Sequence, residues 1–414
     1  MKKITVRSVG CKLNQAETEQ ILDKFREAGF APARKGCDLC IINTCTVTEK
    51  ADRKSRTLVA RLGRENPGAK IVLTGCYATT DPAQLGQACP SAIIVPNKSK
   101  DRILEKTREA FFPSLPVPVV TGSGSGSSSR ARPFVKIQDG CDRRCSYCKV
   151  WMARGPSRSI PAEKILEQAR GFAANGFAEI VLTGVNISDY RDGQTRLAGL
   201  LKKLCALRLP LRFRLASLEP RQIDDGLLDA VSDPAVCDHF HLSLQSGSGE
   251  ILDKMNRPCS PDKFEKTVAL LKKARPDAGI GADIIVGFPG ETHAHFKETE
   301  TLVRSLKIPF LHAFRYSDRQ GTAAAALGDK IDERTKTARR RILTELQQEL
   351  ELDFRMRFMD RVLEIVVEGR MGLSSNYIAV DLPEAARELR TRMIRVRITG
   401  ASRKNTTAQV LEKP

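Results

Sequence analysis

The chain has 414 residues, a formal net charge of +19 at pH 7, and 41% apolar and 5% aromatic residues. This length predicts about two to four domains and a core that folds without disulfides. No apolar run approaches the ~18 residues of a spanning helix, and Met1-Lys2-Lys3 leads straight into a strand-like pattern. We therefore expect a cytoplasmic protein with no membrane segment and no cleaved signal peptide. The charge favours a polyanionic partner such as nucleic acid, although a generically basic enzyme would also carry it.

The first part of the chain alternates short apolar runs with amphipathic segments such as 17–28. This order predicts a parallel sheet covered by helices, in a domain of residues 1–115. The apolar runs are Ile4–Val9, Leu39–Ile42, Ile71–Leu73 and Ile93–Val95. Proline, glycine and serine then dominate residues 116–130, which we interpret as a flexible linker.

A longer series of strand and helix patterns follows, closed by a charged helix over about 333–354. Six strands separated by helix-length segments predict a partial (β/α)6 barrel over residues 131–356, with chemistry at the C-terminal strand ends. The strand candidates are Phe134–Ile137, Ile180–Leu182, Arg212–Ala216, His239–Leu244, Ile280–Val286 and Leu311–Tyr316. Residues 357–414 are β-rich with Gly and Asn turns and predict a small all-β barrel. The fold class is thus α/β with an all-β C-terminal domain.

Cysteines carry the strongest chemical signal. The twelve cysteines point to metal or redox chemistry, because cytosolic thiols stay reduced. Cys141, Cys145 and Cys148 form a CxxxCxxC loop directly after a predicted strand. Zinc sites usually have four ligands in paired knuckles, whereas three close thiolates suit a four-iron cluster with one open iron. The alternative is a chance grouping in a loop.

A second trio is spread out along the chain. Cys11, Cys45 and Cys76 each come just past the end of a predicted strand. The C-terminal ends of parallel strands share one edge of a sheet, where ligands usually bind. We therefore predict a second three-thiolate site, with unrelated buried cysteines as the alternative. The other cysteines are interpreted as structural: Cys37, Cys40, Cys89, Cys205, Cys237 and Cys259.

The CxxxCxxC loop at the first barrel strand resembles that of the radical S-adenosylmethionine superfamily. The resemblance implies that Cys141, Cys145 and Cys148 ligate a [4Fe-4S] cluster whose open iron binds S-adenosylmethionine. One electron then cleaves the cofactor to a 5′-deoxyadenosyl radical, which removes hydrogen from an unactivated C–H bond. In that chemistry the protein positions and shields the cofactor.

Three further motifs resemble those of the methylthiotransferases within that superfamily. They are Gly10-Cys11-Lys12-Leu13-Asn14-Gln15-Ala16-Glu17-Thr18-Glu19, Ile42-Asn43-Thr44-Cys45-Thr46-Val47-Thr48 and Thr74-Gly75-Cys76-Tyr77-Ala78. The resemblance covers the whole chain and implies an N-terminal cluster domain, a radical core and a C-terminal TRAM barrel. A second [4Fe-4S] cluster on Cys11, Cys45 and Cys76 would carry the sulfur. The implied partners are tRNA, a sulfur donor and an electron donor such as flavodoxin or ferredoxin.

The residues around Cys11 and Cys45 are similar to the corresponding motifs of the bacterial branch that acts on threonylcarbamoyladenosine in tRNA. The expected reaction inserts a methylthio group at carbon two of that base, beside the anticodon. Other branches act on isopentenyladenosine in tRNA or on an aspartate of a ribosomal protein, and both remain alternatives. A zinc-dependent RNA-binding protein is the non-enzymatic alternative.

The resemblance also implies cofactor contacts at the ends of the barrel strands, and no catalytic residue beyond the cluster ligands. Simple packing or turn formation is the alternative for each of them. The candidate cofactor contacts are Tyr147, Thr183, Gly184, Asn186, Ser217, Glu219, Gln245 and Gly287. The segment 149–152, Lys-Val-Trp-Met, departs from the apolar-Pro-aromatic run of relatives. We therefore expect the chain next to the CxxxCxxC loop to differ in shape from that of relatives.

Basic side chains border both cysteine sets and continue into the C-terminal barrel. Arg154 is a candidate substrate contact or, equally, a loop-stabilising ion pair, while Arg395 and Arg397 are candidate RNA contacts. A solvated basic face is the alternative. His239 and His241 alternate on one strand but have no carboxylate in register, so we expect packed barrel histidines rather than metal ligands.

Overall fold

The structure is a computed structural model that describes residues 1–113, 126 and 128–412. Most of the predicted linker 116–130 lies outside the described residues. Within the described part of the chain, no helix has the combined length and apolarity that crossing a bilayer requires.

Strands and helices alternate along most of the chain. The strands are β1 (Lys3–Ser8), β2 (Ala31–Pro32), β3 (Leu39–Thr44), β4 (Lys70–Gly75), β5 (Ile93–Val95), β6 (Phe134–Lys136), β7 (Gln138–Asp139), β8 (Arg158–Ser159), β9 (Glu179–Thr183), β10 (Arg191–Asp192), β11 (Thr195–Arg196), β12 (Arg212–Leu215), β13 (His239–Gln245), β14 (Gly279–Val286), β15 (Phe310–Arg315), β16 (Val362–Val367), β17 (Met371–Ser374), β18 (Ala379–Asp381), β19 (Met393–Ala401) and β20 (Thr406–Glu412). The α-helices are α1 (Lys12–Glu27), α2 (Glu49–Glu65), α3 (Cys76–Thr80), α4 (Pro82–Ala88), α5 (Ile103–Phe111), α6 (Val150–Arg154), α7 (Ala162–Ala174), α8 (Leu197–Ala206), α9 (Asp225–Val231), α10 (Gly249–Lys254), α11 (Pro261–Ala274), α12 (His293–Ser305) and α13 (Glu333–Met356).

Two compact units emerge. The first contains the N-terminal residues together with Gln138–Arg158 and Ser317–Thr322. Its sheet has the order β2-β1-β3-β4-β5, and every strand pair is parallel. All six residues of β3 are buried, as expected for a central parallel strand with both faces covered. The predicted N-terminal parallel sheet is therefore confirmed.

The second unit contains the barrel sheet and the C-terminal barrel. Parallel pairing joins β6, β9 and β12 on one side and β13, β14 and β15 on the other, and isolated bridges link β12 with the β13 side. The six predicted barrel strands are thus present in chain order. Along β14, residues 280, 282, 284 and 286 pack into the large apolar core, so the alternate residues occupy the opposite face.

The last part of the second unit is a closed five-stranded barrel of order β16-β17-β18-β20-β19. Its interior is apolar and includes Ile394, Val396 and Ile398, which alternate along β19. The sequence predicts strands at Val362–Val367, Tyr377–Val380 and Met393–Ile398 but not β17 and β20, since glycine, serine and threonine weaken the apolar alternation there. The predicted α/β class with an all-β C-terminal barrel is confirmed.

Candidate active site

The first cysteine trio lies at the ends of three adjacent strands. Cys11 follows β1 and caps the N-terminus of α1, Cys45 follows β3, and Cys76 begins α3 directly after β4. Because β1, β3 and β4 are neighbours in one parallel sheet, their ends bring the three cysteines to one edge.

Two glycines allow the ends of β1 and β4 to lie close to the end of β3. Gly10 has φ +104°, and a Cβ built there would lie 2.4 Å from Cys45 Sγ. Gly75 has φ +97°, and its Cβ would lie 2.3 Å from the Thr44 carbonyl oxygen. Only glycine tolerates both the positive φ and the contact. These two residues therefore set the spacing of the trio.

The thiols of this trio are close enough to affect each other's ionisation. The pKa of Cys45 is raised to about 12, chiefly by desolvation and then by the neighbouring Cys11 and Cys76. A metal would have to displace the protons, because thiolates are the ligating form. Three mutually interacting thiols suit an iron-sulfur cluster.

The second trio lies in a loop held by the backbone. Cys141 N–H donates to the Gly155 carbonyl at 3.0 Å, and Cys148 N–H donates to the Cys145 carbonyl at 3.1 Å. Gly140 has φ +72°, and a Cβ built there would lie 1.9 Å from the Pro156 carbonyl oxygen, so the position requires glycine. The pKa of Cys148 is raised to about 12, mainly by desolvation and further by the thiols of Cys145 and Cys141. These thiols also form a mutually interacting set that fits a cluster.

Arg154 contacts Cys76 of the first trio and Asp139, which lies two residues before Cys141 of the second. Its side chain is 1% exposed, and its Nε lies 3.2 Å from Cys76 Sγ. Its guanidinium also donates to Glu17 Oε1 and to Asp139 Oδ1, each at 2.8 Å, and to Asn14 Oδ1 at 2.6 Å. Arg154 was expected to contact the substrate or to form a loop-stabilising ion pair. The structure shows Arg154 in ion pairs with Glu17 and Asp139.

Sequence reasoning missed the partners of Arg154. Lys100 Nζ lies 2.7 Å from Glu17 Oε2, and Asn97 Nδ2 lies 3.7 Å from Cys76 Sγ and 2.9 Å from the Ala153 carbonyl. The one available signal was the acidic Glu17 six residues after Cys11 in the first motif. The sheet edge that carries Cys11, Cys45 and Cys76, called the cysteine edge below, is therefore lined by a buried network of opposite charges.

A cavity of about 650 Å³ adjoins this network. It is lined by residues that follow Cys76 and residues that follow Cys148, among them Thr79, Met152 and Arg154. Lys149, part of the unusual 149–152 segment, pairs with Asp81 at 2.9 Å. Tyr147 is half-buried in the same loop.

The other candidate cofactor contacts lie in the second unit, at C-terminal strand ends. Thr183 is the last residue of β9, with Gly184 and Asn186 just beyond, and Ser217 follows β12. Gln245, with φ +75°, ends β13. The structure thus gathers these residues at one end of the barrel sheet.

The two remaining candidate cofactor contacts, Glu219 and Gly287, form an ion pair and a hydrogen bond within the second unit. Glu219 is buried and pairs with Arg257 at 2.8 Å, a partner that no sequence signal indicated. Gly287, with φ +73°, donates its N–H to Glu291 Oε2 at 2.6 Å. Both contacts shape the loops that follow the strands.

Arg395 and Arg397 lie exposed on β19. They alternate with Ile394, Val396 and Ile398, which fill the small barrel. Arg397 also donates to the Asp360 carbonyl at 3.1 Å. The outer face of β19 is therefore basic.

The fold and the cysteine loop define a radical S-adenosylmethionine protein. Residues 135–303 match the family model of the Radical SAM superfamily, and residues 3–96 match that of the Uncharacterized protein family UPF0004. Among solved structures, the radical S-adenosylmethionine methyltransferase TsrM from Kitasatospora setae has a similar fold, with a TM-score of 0.59 at 14% identity over 78% of this chain and 77% of that one.

Curated relatives narrow the class to a family. The chain is 36% identical to the threonylcarbamoyladenosine tRNA methylthiotransferase MtaB of Aquifex aeolicus, over 91% of this chain and 96% of the relative. It is 34% identical to the enzyme of the same name from Bacillus subtilis, over 92% and 90%. It is also 32% identical to the tRNA-2-methylthio-N(6)-dimethylallyladenosine synthase of Thermodesulfovibrio yellowstonii, over 89% and 88%. The chain belongs to the radical S-adenosylmethionine tRNA methylthiotransferase family.

Membership confirms the resemblance drawn from the cysteine motifs. It makes the protein a methylthiotransferase enzyme with tRNA as the substrate class, and it implies one [4Fe-4S] cluster with S-adenosylmethionine. The family assignment favours the enzyme over the zinc-dependent RNA-binding alternative.

Proposed function

We propose that this protein inserts a methylthio group at carbon two of threonylcarbamoyladenosine, beside the anticodon of tRNA. Two relatives named for that nucleoside are 36% and 34% identical to this chain, and one named for dimethylallyladenosine is 32% identical. The observation that carries the proposal is the presence of two cysteine trios in one compact unit, where Arg154 contacts Cys76 of one trio and Asp139, two residues before Cys141 of the other.

The trios are assigned different tasks. Cys141, Cys145 and Cys148 would hold the cluster that binds S-adenosylmethionine, and Cys11, Cys45 and Cys76 would hold a second, sulfur-carrying cluster. When bound, the first cluster and its cofactor supply a 5′-deoxyadenosyl radical that can remove hydrogen from an unactivated C–H bond. The protein's own residues bind and orient these groups, and Arg154 keeps positive charge beside the Cys76 sulfur.

Further assignments extend this scheme. The strand-end residues of the barrel would contact S-adenosylmethionine, and Arg395 and Arg397 would contact the tRNA backbone. An electron donor such as flavodoxin or ferredoxin and a sulfur donor would complete the reaction. The domains would be 1–115 for the second cluster, 131–356 for the radical core and 357–414 for RNA binding, joined by the linker 116–130.

Mass spectrometry of nucleosides from tRNA tests the substrate. Cells with and without this protein should differ in methylthio-threonylcarbamoyladenosine and in no other methylthio nucleoside. A change in methylthio-isopentenyladenosine would instead assign the other RNA branch. Unchanged tRNA nucleosides, with a methylthio-aspartate detected instead by mass spectrometry of ribosomal-protein peptides, would assign the third branch, and either result would overturn the proposal.

The division between the trios is tested with Cys76→Ala and Cys148→Ala. Cys76→Ala should still cleave S-adenosylmethionine but form no methylthio product, whereas Cys148→Ala should do neither. Cys89→Ala, at a cysteine outside both trios, should behave as the unaltered enzyme. Loss of cofactor cleavage in both trio variants, or in neither, would contradict the division.

A further inference from the structure

The barrel sheet carries two histidines and an aspartate on neighbouring strands. His241 lies on β13, Asp283 on β14 and His312 on β15. Asp283 is paired directly with His312, and His241 is paired with Gly281, two residues before Asp283. Because side chains alternate between the faces of a strand, these registers place all three side chains on one face, opposite the apolar core.

Their donor atoms converge on one point. His241 Nε2 lies 2.9 Å from Asp283 Oδ1, and His312 Nδ1 lies 3.3 Å from the same oxygen. One ligand atom from each residue lies within 4.8 Å of the others. Two ligands bound to zinc at about 2.0–2.1 Å with a tetrahedral angle are about 3.3 Å apart. The two distances to Asp283 Oδ1 are close to that spacing, and the ligand atoms of the two histidines are near enough to reach the same ion.

The surroundings favour this arrangement. A Cβ at Gly281 would lie 2.4 Å from His241 Nδ1, so the glycine leaves room for the imidazole beside Asp283. The His312 side chain is 55% exposed and that of Asp283 21%, which gives an ion access from solvent.

We propose that His241, Asp283 and His312 bind a divalent transition-metal ion of the zinc type. Two imidazoles and one carboxylate are ligands that such borderline ions accept. Three protein ligands leave a tetrahedral ion one position for an exchangeable oxygen ligand. No carboxylate is in register with His241 on its own strand, which predicted a packed histidine; the carboxylate is supplied by Asp283 on the neighbouring strand. His239 is not part of the set, since its ring stacks on Tyr377 at 4.0 Å between ring centres.

Zinc binding by the full chain tests the site. The protein is first reconstituted anaerobically with iron and sulfide, so that iron competes for the cysteines, and zinc is then titrated in. Elemental analysis should find one zinc per chain in addition to the iron. X-ray absorption at the zinc edge should show only nitrogen and oxygen neighbours at about 2.0–2.1 Å.

Two variants identify the ligands. His312→Gln and the isosteric Asp283→Asn should each weaken zinc binding at least about tenfold, with iron content and circular dichroism unchanged. His293→Gln, at an exposed histidine on α12, should bind zinc as the unaltered chain does. The proposal is overturned if zinc fails to bind, if both ligand variants retain full affinity, or if sulfur at about 2.3 Å surrounds the zinc.

Discussion

At the residue scale, Arg154 is the buried cation on which the cysteine edge depends. It contacts Cys76 and neutralises Glu17 and Asp139, all within the first unit. Burial by itself would lower the pKa of Arg154, but Cys76, Glu17 and Asp139 raise it well above its ordinary value. The residue therefore stays charged.

Replacing Arg154 tests this role. Arg154→Met would leave two buried carboxylates without this partner and should cost about 3–5 kcal/mol of unfolding free energy. Arg154→Lys should recover only part of that loss, because lysine keeps the charge but not the fork of donors. Denaturant titration of both variants gives the measurement. Arg144→Met, at an exposed arginine of the same loop, serves as the control; equal stability of the Arg144 and Arg154 variants would contradict the expectation.

A second buried cluster of charges lies in the barrel sheet. Glu179 on β9 is fully buried and pairs with Arg214 at 2.6 Å, Arg212 at 2.7 Å and Arg132 at 3.1 Å. Burial by itself would raise the pKa of Glu179, but the guanidinium groups outweigh it and hold the pKa well below its ordinary value of 4.5. A carboxyl with a depressed folded pKa stabilises the fold above its unfolded pKa and loses that contribution as the pH falls.

Glu179→Gln should therefore lower stability most at neutral pH. We expect a loss of about 3–5 kcal/mol at pH 7. The difference from the unaltered chain should shrink as the pH falls below 4.5, the ordinary value of this carboxyl. Thermal unfolding followed at several pH values measures it, with Glu265→Gln at an exposed helix position as the control. A difference that stays constant with pH would argue against the charge cluster.

At the scale of elements, the strand ends decide whether the first cysteine trio can assemble. A methyl group at Gly10 would overlap the Cys45 sulfur at 2.4 Å and would also strain φ +104°. Gly29 provides a matched control, since its φ is +84° but nothing lies within 4 Å of a Cβ built there. Comparing substitutions at Gly10 and Gly29 thus distinguishes the effect of backbone strain from the effect of displacing the Cys45 thiol.

Gly10→Ala should reduce the iron of the reconstituted chain by about half, from about eight to about four per chain, if each trio holds a four-iron cluster. Gly29→Ala should keep the full iron content with a modest loss of stability. Iron and sulfide analysis after anaerobic reconstitution gives the result. Equal iron in both variants would show that Gly10 does not set the position of Cys45.

At the scale of the whole molecule, the net charge of +19 predicts salt-sensitive binding of tRNA. Contact with about five phosphates should give a log–log slope of affinity against salt near −4. Arg395→Ala/Arg397→Ala should reduce that slope by about one to two, because each lysine or arginine on a phosphate contributes about one. Arg340→Ala/Arg341→Ala removes the same charge from the exposed side of α13 and should leave the slope unchanged. A flat salt dependence of the unaltered chain would remove the electrostatic argument.

The sequence by itself determined the main strands of the N-terminal sheet and of the barrel sheet, the positions of both cysteine trios and the family, because apolar periodicity and short motifs are local patterns. It also indicated that Cys11, Cys45 and Cys76 would lie at the same edge of the sheet, since the C-terminal ends of parallel strands share one edge. The amphipathic pattern predicted a helical segment over 17–28, whereas α1 already begins at Lys12, where Leu13 and Ala16 are also buried.

The tertiary structure alone decided which distant residues meet. Arg154 and Glu17 are 137 positions apart, and Arg257 and Glu219 are 38 apart. His241 gains its carboxylate from Asp283 only through the register of β13 and β14. Such pairs depend on strand order and register, which are set by the packing of the whole core rather than by any local sequence pattern.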